Sequence, residues 1–199
     1  MKVLALGGSG GMGRYAVQYL HNIKQIEKIY VADVNSLSAK KFASHFDNRV
    51  EGLKLDIRDF ETLKSEMSKV DIVVNTTGPF FLFAEPILKA AIQTNTHYFD
   101  ICDDWEPTEK MLQMNEDAKK ANITAIIGLG ASPGLTNILA HIAISELDEV
   151  RKVYTGWDMS AAKPESESSQ SGVSAAMVHG IEQMLSLIHI SEPTRPRSI

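Results

Sequence analysis

The sequence predicts an α/β fold, a doubly wound parallel sheet with helices on both faces, on three observations. Apolar runs of strand length alternate with amphipathic stretches of helical period from residue 3 to residue 147. Some of those runs, such as Ile72-Val73-Val74, are apolar without alternation, as expected of a strand covered on both faces. The first run is followed at once by a glycine-rich turn, Gly7-Gly8-Ser9-Gly10-Gly11-Met12-Gly13, and then by a helical pattern. A repeated β-α order implies right-handed crossovers and hence parallel strands.

The elements follow in order. Val3–Leu6 is the first expected strand and Met12–Ile23 the first helix. Lys28–Ala32 is a strand, and Ser38–Phe46 a helix with Ser36 or Ser38 as its N-cap. Gly52–Leu55 is a strand ending at Asp56, followed by a helix over Phe60–Met67. Asp71–Asn75 is a strand, Pro86–Thr94 a helix, and His97–Ile101 a strand. Thr108–Ala121 is one helix capped by Thr108. Thr124–Ile127 is the sixth strand and Leu135–Leu147 a helix. Residues 1–149 then form one dinucleotide-binding domain.

The pattern changes near Val150. Val153–Trp157 is expected as a strand, Ser160–Ser174 as a solvated loop and Ser174–Met184 as a helix. Residues 150–184 thus open a second domain, left incomplete, with apolar surface uncovered. Residues 185–199 are expected to be non-native: LSLIHISEPTR is like the translation of a transposase sequencing adapter fused in frame, and Pro193 and Pro196 interrupt the preceding helix.

The glycine turn carries the functional signal. A strand, a turn spaced Gly8-x-Gly10-x-x-Gly13 and a helix form the fingerprint of a dinucleotide-binding, or Rossmann, unit. Gly8 turns the chain off the strand, Gly10 lets a pyrophosphate approach the backbone, and Gly13 lets the helix pack on the strand. The helix N-terminus offers free N–H groups to phosphates. Asp33 ends the next apolar run, where an acid reads a ribose 2′-hydroxyl. It favours NAD over NADP, although Lys40 and Lys41 are close enough in sequence to answer a 2′-phosphate. A short-chain reductase is disfavoured, because no tyrosine has a lysine four residues on. A phosphate-loop NTPase is excluded, because Arg14-Tyr15 follows Gly13.

Composition narrows the class. With 199 residues and 44% hydrophobic side chains, a packed core is within reach. The net charge of −5 argues against a nucleic-acid or anionic-membrane surface. The one cysteine, Cys102, gives no disulfide framework and suits a reducing cytoplasm. No apolar stretch reaches the ~20 residues needed to span a bilayer, and no charged n-region with an apolar h-region opens the sequence.

Further constellations stand at strand ends. Asp56-Ile57 suits the adenine edge or a turn. Thr76-Thr77-Gly78-Pro79 suits ribose or phosphate contacts, with Phe80, Phe81 and Phe83 in a loop that shields a nicotinamide or plugs the core. Cys102-Asp103-Asp104 offers paired carboxylates for a substrate amine or proton transfer, or caps for the next helix. Gly128-Leu129-Gly130-Ala131-Ser132-Pro133-Gly134 is a second glycine loop, presenting backbone donors to a carboxylate or making a tight connection; Pro133 suits the first turn of its helix.

Together, the first glycine loop, Thr77-Gly78-Pro79, Asp100-Ile101-Cys102-Asp103-Asp104 and Gly130-Ala131-Ser132-Pro133-Gly134-Leu135-Thr136-Asn137 resemble the saccharopine dehydrogenase family over residues 1–184. The resemblance implies an NAD(P)-dependent oxidoreductase acting at a C–N bond of an amino-acid or polyamine-type substrate through an imine. It implies cofactor contacts at Ser9, Gly10, Gly11, Met12, Asp33, Asp56, Thr77 and Gly78, and a homodimer at full length. The present chain, lacking most of the substrate domain, is then inactive alone. Ser132 stands where the lysine-pathway members tend to carry an acid, and Thr136-Asn137 near their Asp-His pair, which points to another substrate. The alternative reading is a non-catalytic module that binds a nicotinamide dinucleotide for regulation.

Overall fold

A computed structural model describes residues 1–155. Among them the elements run β1 (Lys2–Leu6), α1 (Gly11–His21), β2 (Lys28–Asp33), α2 (Ser36–Ala43), β3 (Val50–Lys54), α3 (Phe60–Met67), β4 (Ile72–Asn75), α4 (Phe80–Gln93), β5 (His97–Asp100), α5 (Trp105–Leu112), α6 (Asn115–Lys120), β6 (Ala125–Ile126) and α7 (Leu135–Ser145). The six strands lie in the order β3-β2-β1-β4-β5-β6, and every neighbouring pair is parallel. This is the doubly wound sheet expected from the alternating pattern. The order reverses between β1 and β4, so the loops leaving those strands open a crevice at the C-terminal edge.

The period-2 alternation of side chains divides the core into two layers. Val3 and Ala5 of β1 join Val17 of α1 and Ala39, Phe42 and Ala43 of α2 on one face. Leu4 and Leu6 join Leu63 and Met67 of α3 and Ala84, Ile87 and Leu88 of α4 on the other. α7 is different: none of its side chains is buried, and Leu135, Ile138, Leu139 and Ile142 are each more than half exposed.

Several boundaries depart from the sequence reading, each for a local reason. α2 is capped by Asn35, whose side chain accepts from Ser38 N, rather than by either serine. β3 is shifted toward its N-terminus because Val50 and Glu51 pair with Ile29 and Tyr30. α4 starts six residues before Pro86, which lies inside it; the apolar Phe80–Ala84 segment is drawn into the helix by burial of Phe80 and Ala84. The single helix expected over Thr108–Ala121 is two, α5 and α6. Asp104 takes the N-cap position of α5, and Thr108 Oγ1 instead donates back to the Asp104 carbonyl at 2.8 Å. Pro133 precedes α7, whose N-cap is Gly134. Val153–Thr155 carries no regular structure. The rest of that expected strand, the Ser160–Ser174 loop, the Ser174–Met184 helix and residues 185–199 lie outside the described residues.

Polar groups also cross the core. Asn75 and Asp100 are register partners on β4 and β5, and Tyr98 lies two residues before Asp100 on the same face. Asn75 Nδ2 donates to Tyr98 Oη at 3.2 Å, and Tyr98 Oη donates to Asp100 Oδ2 at 2.7 Å. The other oxygen, Oδ1, accepts from Cys102 N at 3.0 Å and Gly128 N at 2.8 Å. All three side chains are buried. Burial pushes the Asp100 carboxyl upward, while the donors from Gly128, Tyr98 and Cys102 pull it back.

Asp100→Ala strands two backbone N–H groups and a phenol. It is expected to lower the unfolding free energy by about 2–4 kcal/mol, read from urea denaturation with an unchanged m-value. The raised folded-state value also has a sign. Asp100's contribution is complete below the ordinary value of 3.8 and falls as pH rises through the higher folded value. The stability of wild type relative to Asp100→Asn should therefore decline with rising pH over that window; a rise would contradict the burial argument.

Candidate functional site

The glycine turn is built by close approach. Gly7 takes φ +68°, a left-handed conformation natural to glycine. The N–H groups of Gly7 and Gly8 both donate to Ala32 O, tying the turn to β2. The sharp turn expected at Gly8 is therefore made at Gly7. Gly13 fulfils its expected role: a Cβ there would stand 2.2 Å from Gly7 O, so α1 lies directly against the turn. Arg14 Nε donates to Ser9 O at 2.8 Å, and its guanidinium stands 5.3 Å from the centre of the Phe42 ring.

Beside this turn, at the C-terminal ends of β1, β2, β3 and β4, is a cleft of about 440 Å³. Gly7 and Gly10 line it from the turn, Asp33 and Val34 from the end of β2, Asp56, Ile57 and Arg58 from the end of β3, and Thr77 and Gly78 from the end of β4, with Phe83 closing one side. Asp33 Oδ2 accepts from Ser9 Oγ at 2.5 Å and Oδ1 from Asn35 N at 3.0 Å, so this carboxylate ties the glycine turn to the loop after β2. Asp56 accepts from Arg58 Nη2 at 2.6 Å and from Arg58 Nε and N. The guanidinium bond holds the Asp56 carboxyl down at about 2 and raises Arg58 in turn. Thr77 Oγ1 is buried with no hydrogen-bond partner.

The structure therefore brings Gly10, Asp33, Asp56, Thr77 and Gly78 together around one cleft. Ser9 is buried beneath it, with its hydroxyl on Asp33. Gly11 and Met12 stand exposed in the first turn of α1, outside the lining. The phenylalanines are not in a loop but in the first turn of α4: Phe80 is buried in the core and Phe83 borders the cleft. Asp104 serves as a cap, its carboxylate accepting from Phe81 N at the start of α4. The second glycine loop makes a tight connection, with Gly134 at φ +117° bridged to Gly130. Lys40 lines a separate groove with Asp47, Asn48 and Glu51, away from the cleft.

Two features escaped the sequence reading. Arg58 borders the cleft, and a cation two residues after a strand-end aspartate was the available signal. The Asn75–Tyr98–Asp100 relay was announced by polar residues at the ends of otherwise apolar strands.

Thr77→Val replaces a buried hydroxyl that lacks a partner with a methyl group of the same shape. The expected result is an unfolding free energy unchanged or raised by up to about 1–2 kcal/mol. Thermal or urea unfolding checks it, and a clear loss of stability would reveal a partner for the hydroxyl.

The residues fit a dinucleotide: a glycine cradle, a carboxylate at the end of β2, and at the end of β4 a threonine that lines the same cleft and has a buried, unsatisfied hydroxyl. Comparison with known proteins agrees. The family model for the saccharopine dehydrogenase NADP binding domain matches residues 3–126. A saccharopine dehydrogenase [NADP(+), L-glutamate-forming] of Schizosaccharomyces pombe is 26% identical over 152 residues, covering 76% of this chain and 32% of that protein. A lipid droplet localized protein of Caenorhabditis elegans is 28% identical over 139 residues, 64% of this chain and 32% of that one. The chain thus spans about a third of the length of these relatives. Apo saccharopine dehydrogenase (L-Glu forming) from Saccharomyces cerevisiae shares the fold with a TM-score of 0.63 at 23% identity, over 73% of this chain and 31% of that one. Triphenylmethane reductase of Citrobacter sp. shares it with a TM-score of 0.51 at 17% identity, over 64% and 48%. The lean toward NAD drawn from Asp33 finds no support here, since the matching domain is an NADP-binding one, and the Asp33 carboxylate is already engaged by Ser9 and Asn35. By the match over residues 3–126, this chain belongs to the saccharopine dehydrogenase family through its NADP-binding domain.

Proposed function

We propose that the chain is the cofactor-binding part of an NADP-dependent oxidoreductase that acts at a C–N bond of an amino-acid- or polyamine-type substrate through an imine. The observation that carries the cofactor reading is the cleft at the reversal of strand order, lined by the glycine turn and by Thr77, whose buried hydroxyl is unsatisfied. The N–H groups of Gly11 and Met12 at the start of α1 would face the pyrophosphate, while the Gly10 N–H is used within the turn by Gly7 O at 2.9 Å. Asp33, oriented by Ser9, would meet the adenosine ribose, Asp56 the adenine edge, and Thr77 and Gly78 the remaining ribose or phosphate. When bound, the cofactor supplies the hydride chemistry; this chain binds it, orients it and screens it from water.

The substrate chemistry rests on family membership. Relatives three times as long supply the remainder, so the groups that hold the amino-acid-like substrate and move the proton belong outside residues 1–149 in this reading. Residues 150–184 would open that substrate and dimerisation domain, with a homodimer at full length. The net charge of −5 suits a small-molecule partner rather than nucleic acid. No helix among the described residues is long and apolar enough to cross a membrane; a cytoplasmic location is part of the proposal.

The test uses Trp105, which is 63% exposed at the start of α5. NADPH titrated into the 199-residue chain should give saturable energy transfer from tryptophan to the reduced nicotinamide. Thr77→Val, stable as wild type, should bind roughly 3- to 10-fold more weakly, the range for one lost hydrogen bond. Folded protein that gives no saturable signal with either NADPH or NADH would sink the reading.

A further inference from the structure

We propose that Arg58 selects the cofactor by binding the phosphate on the adenosine ribose, with Asp56 as the residue that positions it. The proposal rests on the cofactor reading above and goes beyond it, because it assigns the NADP preference to one side chain.

Among the described residues lining the cleft Arg58 is the one cation, and it shares the cleft with Asp33. The other nearby cations, Lys41 among them, do not line the cleft. Lys40 faces the separate groove beside Asp47 and Glu51. Arg14 is held by Ser9 O and Phe42. Lys54 is paired in register with Asp33 and its charge acts on Asp56, but its side chain does not line the cleft.

The geometry suits a phosphate. A guanidinium carries five N–H donors in a planar fork that matches phosphate oxygens two at a time. In Arg58, Nε and Nη2 are directed to Asp56, and Nη1 makes no hydrogen bond to the described residues. The side chain is 70% exposed. The Asp56 pair therefore fixes the fork at the mouth of the cleft with donors to spare. Because an exposed ion pair contributes little, the guanidinium can also exchange carboxylate for phosphate at small cost. Asp33 is the expected obstacle to a 2′-phosphate. Here both its oxygens already accept hydrogen bonds from the protein, which spreads its charge into the glycine turn and the β2 loop.

The experiment compares 2′,5′-ADP with 5′-AMP, which differ by the one phosphate, on the 199-residue chain by calorimetry. Arg58→Gln should weaken 2′,5′-ADP by roughly 10- to 100-fold, the range for a charge-assisted bond, and leave 5′-AMP within about twofold. Arg58→Lys should fall between, having charge without the fork. Added salt should narrow the wild-type preference and leave that of Arg58→Gln unchanged. Equal weakening of both ligands would overturn the assignment in favour of contact with the base. No change, or a loss of preference in Lys54→Gln instead, would overturn it as well. Wild-type protein that binds neither 2′,5′-ADP nor NADPH would remove the cofactor reading itself, a different failure from a wild type that binds both and an Arg58→Gln that keeps the preference.

Discussion

The buried relay from Asn75 through Tyr98 to Asp100 is the constraint on which the ligand edge of the sheet depends. It begins at the cleft, where Asn75 Oδ1 accepts from Thr77 N. It ends at Asp100, whose carboxylate takes the N–H groups of Cys102 after β5 and of Gly128 in the second glycine loop, and whose carbonyl takes that of Leu129 at 2.7 Å. Three loops, leaving β4, β5 and β6, are thereby set by one continuous hydrogen-bonded path. Such a path is costly if incomplete, since each buried group left unpaired loses its hydration without replacement. Here every member is satisfied, and satisfaction of this kind fixes one geometry rather than several.

Thr77 shows the opposite condition a few ångströms from a satisfied network. Its backbone N–H is used by Asn75, and its hydroxyl is buried without a partner. The contrast gives the hydroxyl its meaning. A fold that pairs Asn75, Tyr98 and Asp100 fully leaves one threonine oxygen orphaned beside the glycine turn, an exception that calls for a reason. Gly7 is part of the same arrangement: a Cβ there would lie 2.9 Å from Thr77 Oγ1. The turn glycine thus keeps room for the hydroxyl as well as for its own left-handed backbone.

Strand and helix order were legible in the sequence because they rest on periodicity, which is a local property. The glycine turn was legible because Gly13 answers a steric demand one turn of helix away. The parts that failed depend on tertiary contact. Asn35 displaced two serines as a cap because β2 delivers the chain to α2 at Asn35. Phe80 joined a helix because the core beneath it needed filling. Lys40 left the cleft because α2 points it toward β3, where Gly52 allows contact so close that a Cβ would meet Lys40 N at 2.5 Å. Arg58 was overlooked because an arginine beside an aspartate in sequence looks like an ordinary turn until the cleft shows what it borders.

The charges around the cleft and those in the core answer to pH in opposite ways. Asp56 has its folded value lowered to about 2, so its stabilising pair with Arg58 is present above the ordinary 3.8 and lost only as pH falls through about 2. Asp100 is raised, and its contribution is lost as pH rises. Cys102, pushed up to about 11 by burial, stays a thiol across the neutral range. No histidine among the described residues lines the cleft. A ribose phosphate dianion, by contrast, takes up its first proton at about pH 6. Selection by a guanidinium that stays charged should then weaken as the 2′-phosphate is protonated, and the ratio of 2′,5′-ADP to 5′-AMP affinity, in which the shared 5′-phosphate cancels, should fall as pH drops through about 6. That dependence belongs to a phosphate held by Arg58. It would be absent for a guanidinium stacked on the base, whose interaction does not change when the phosphate gains a proton.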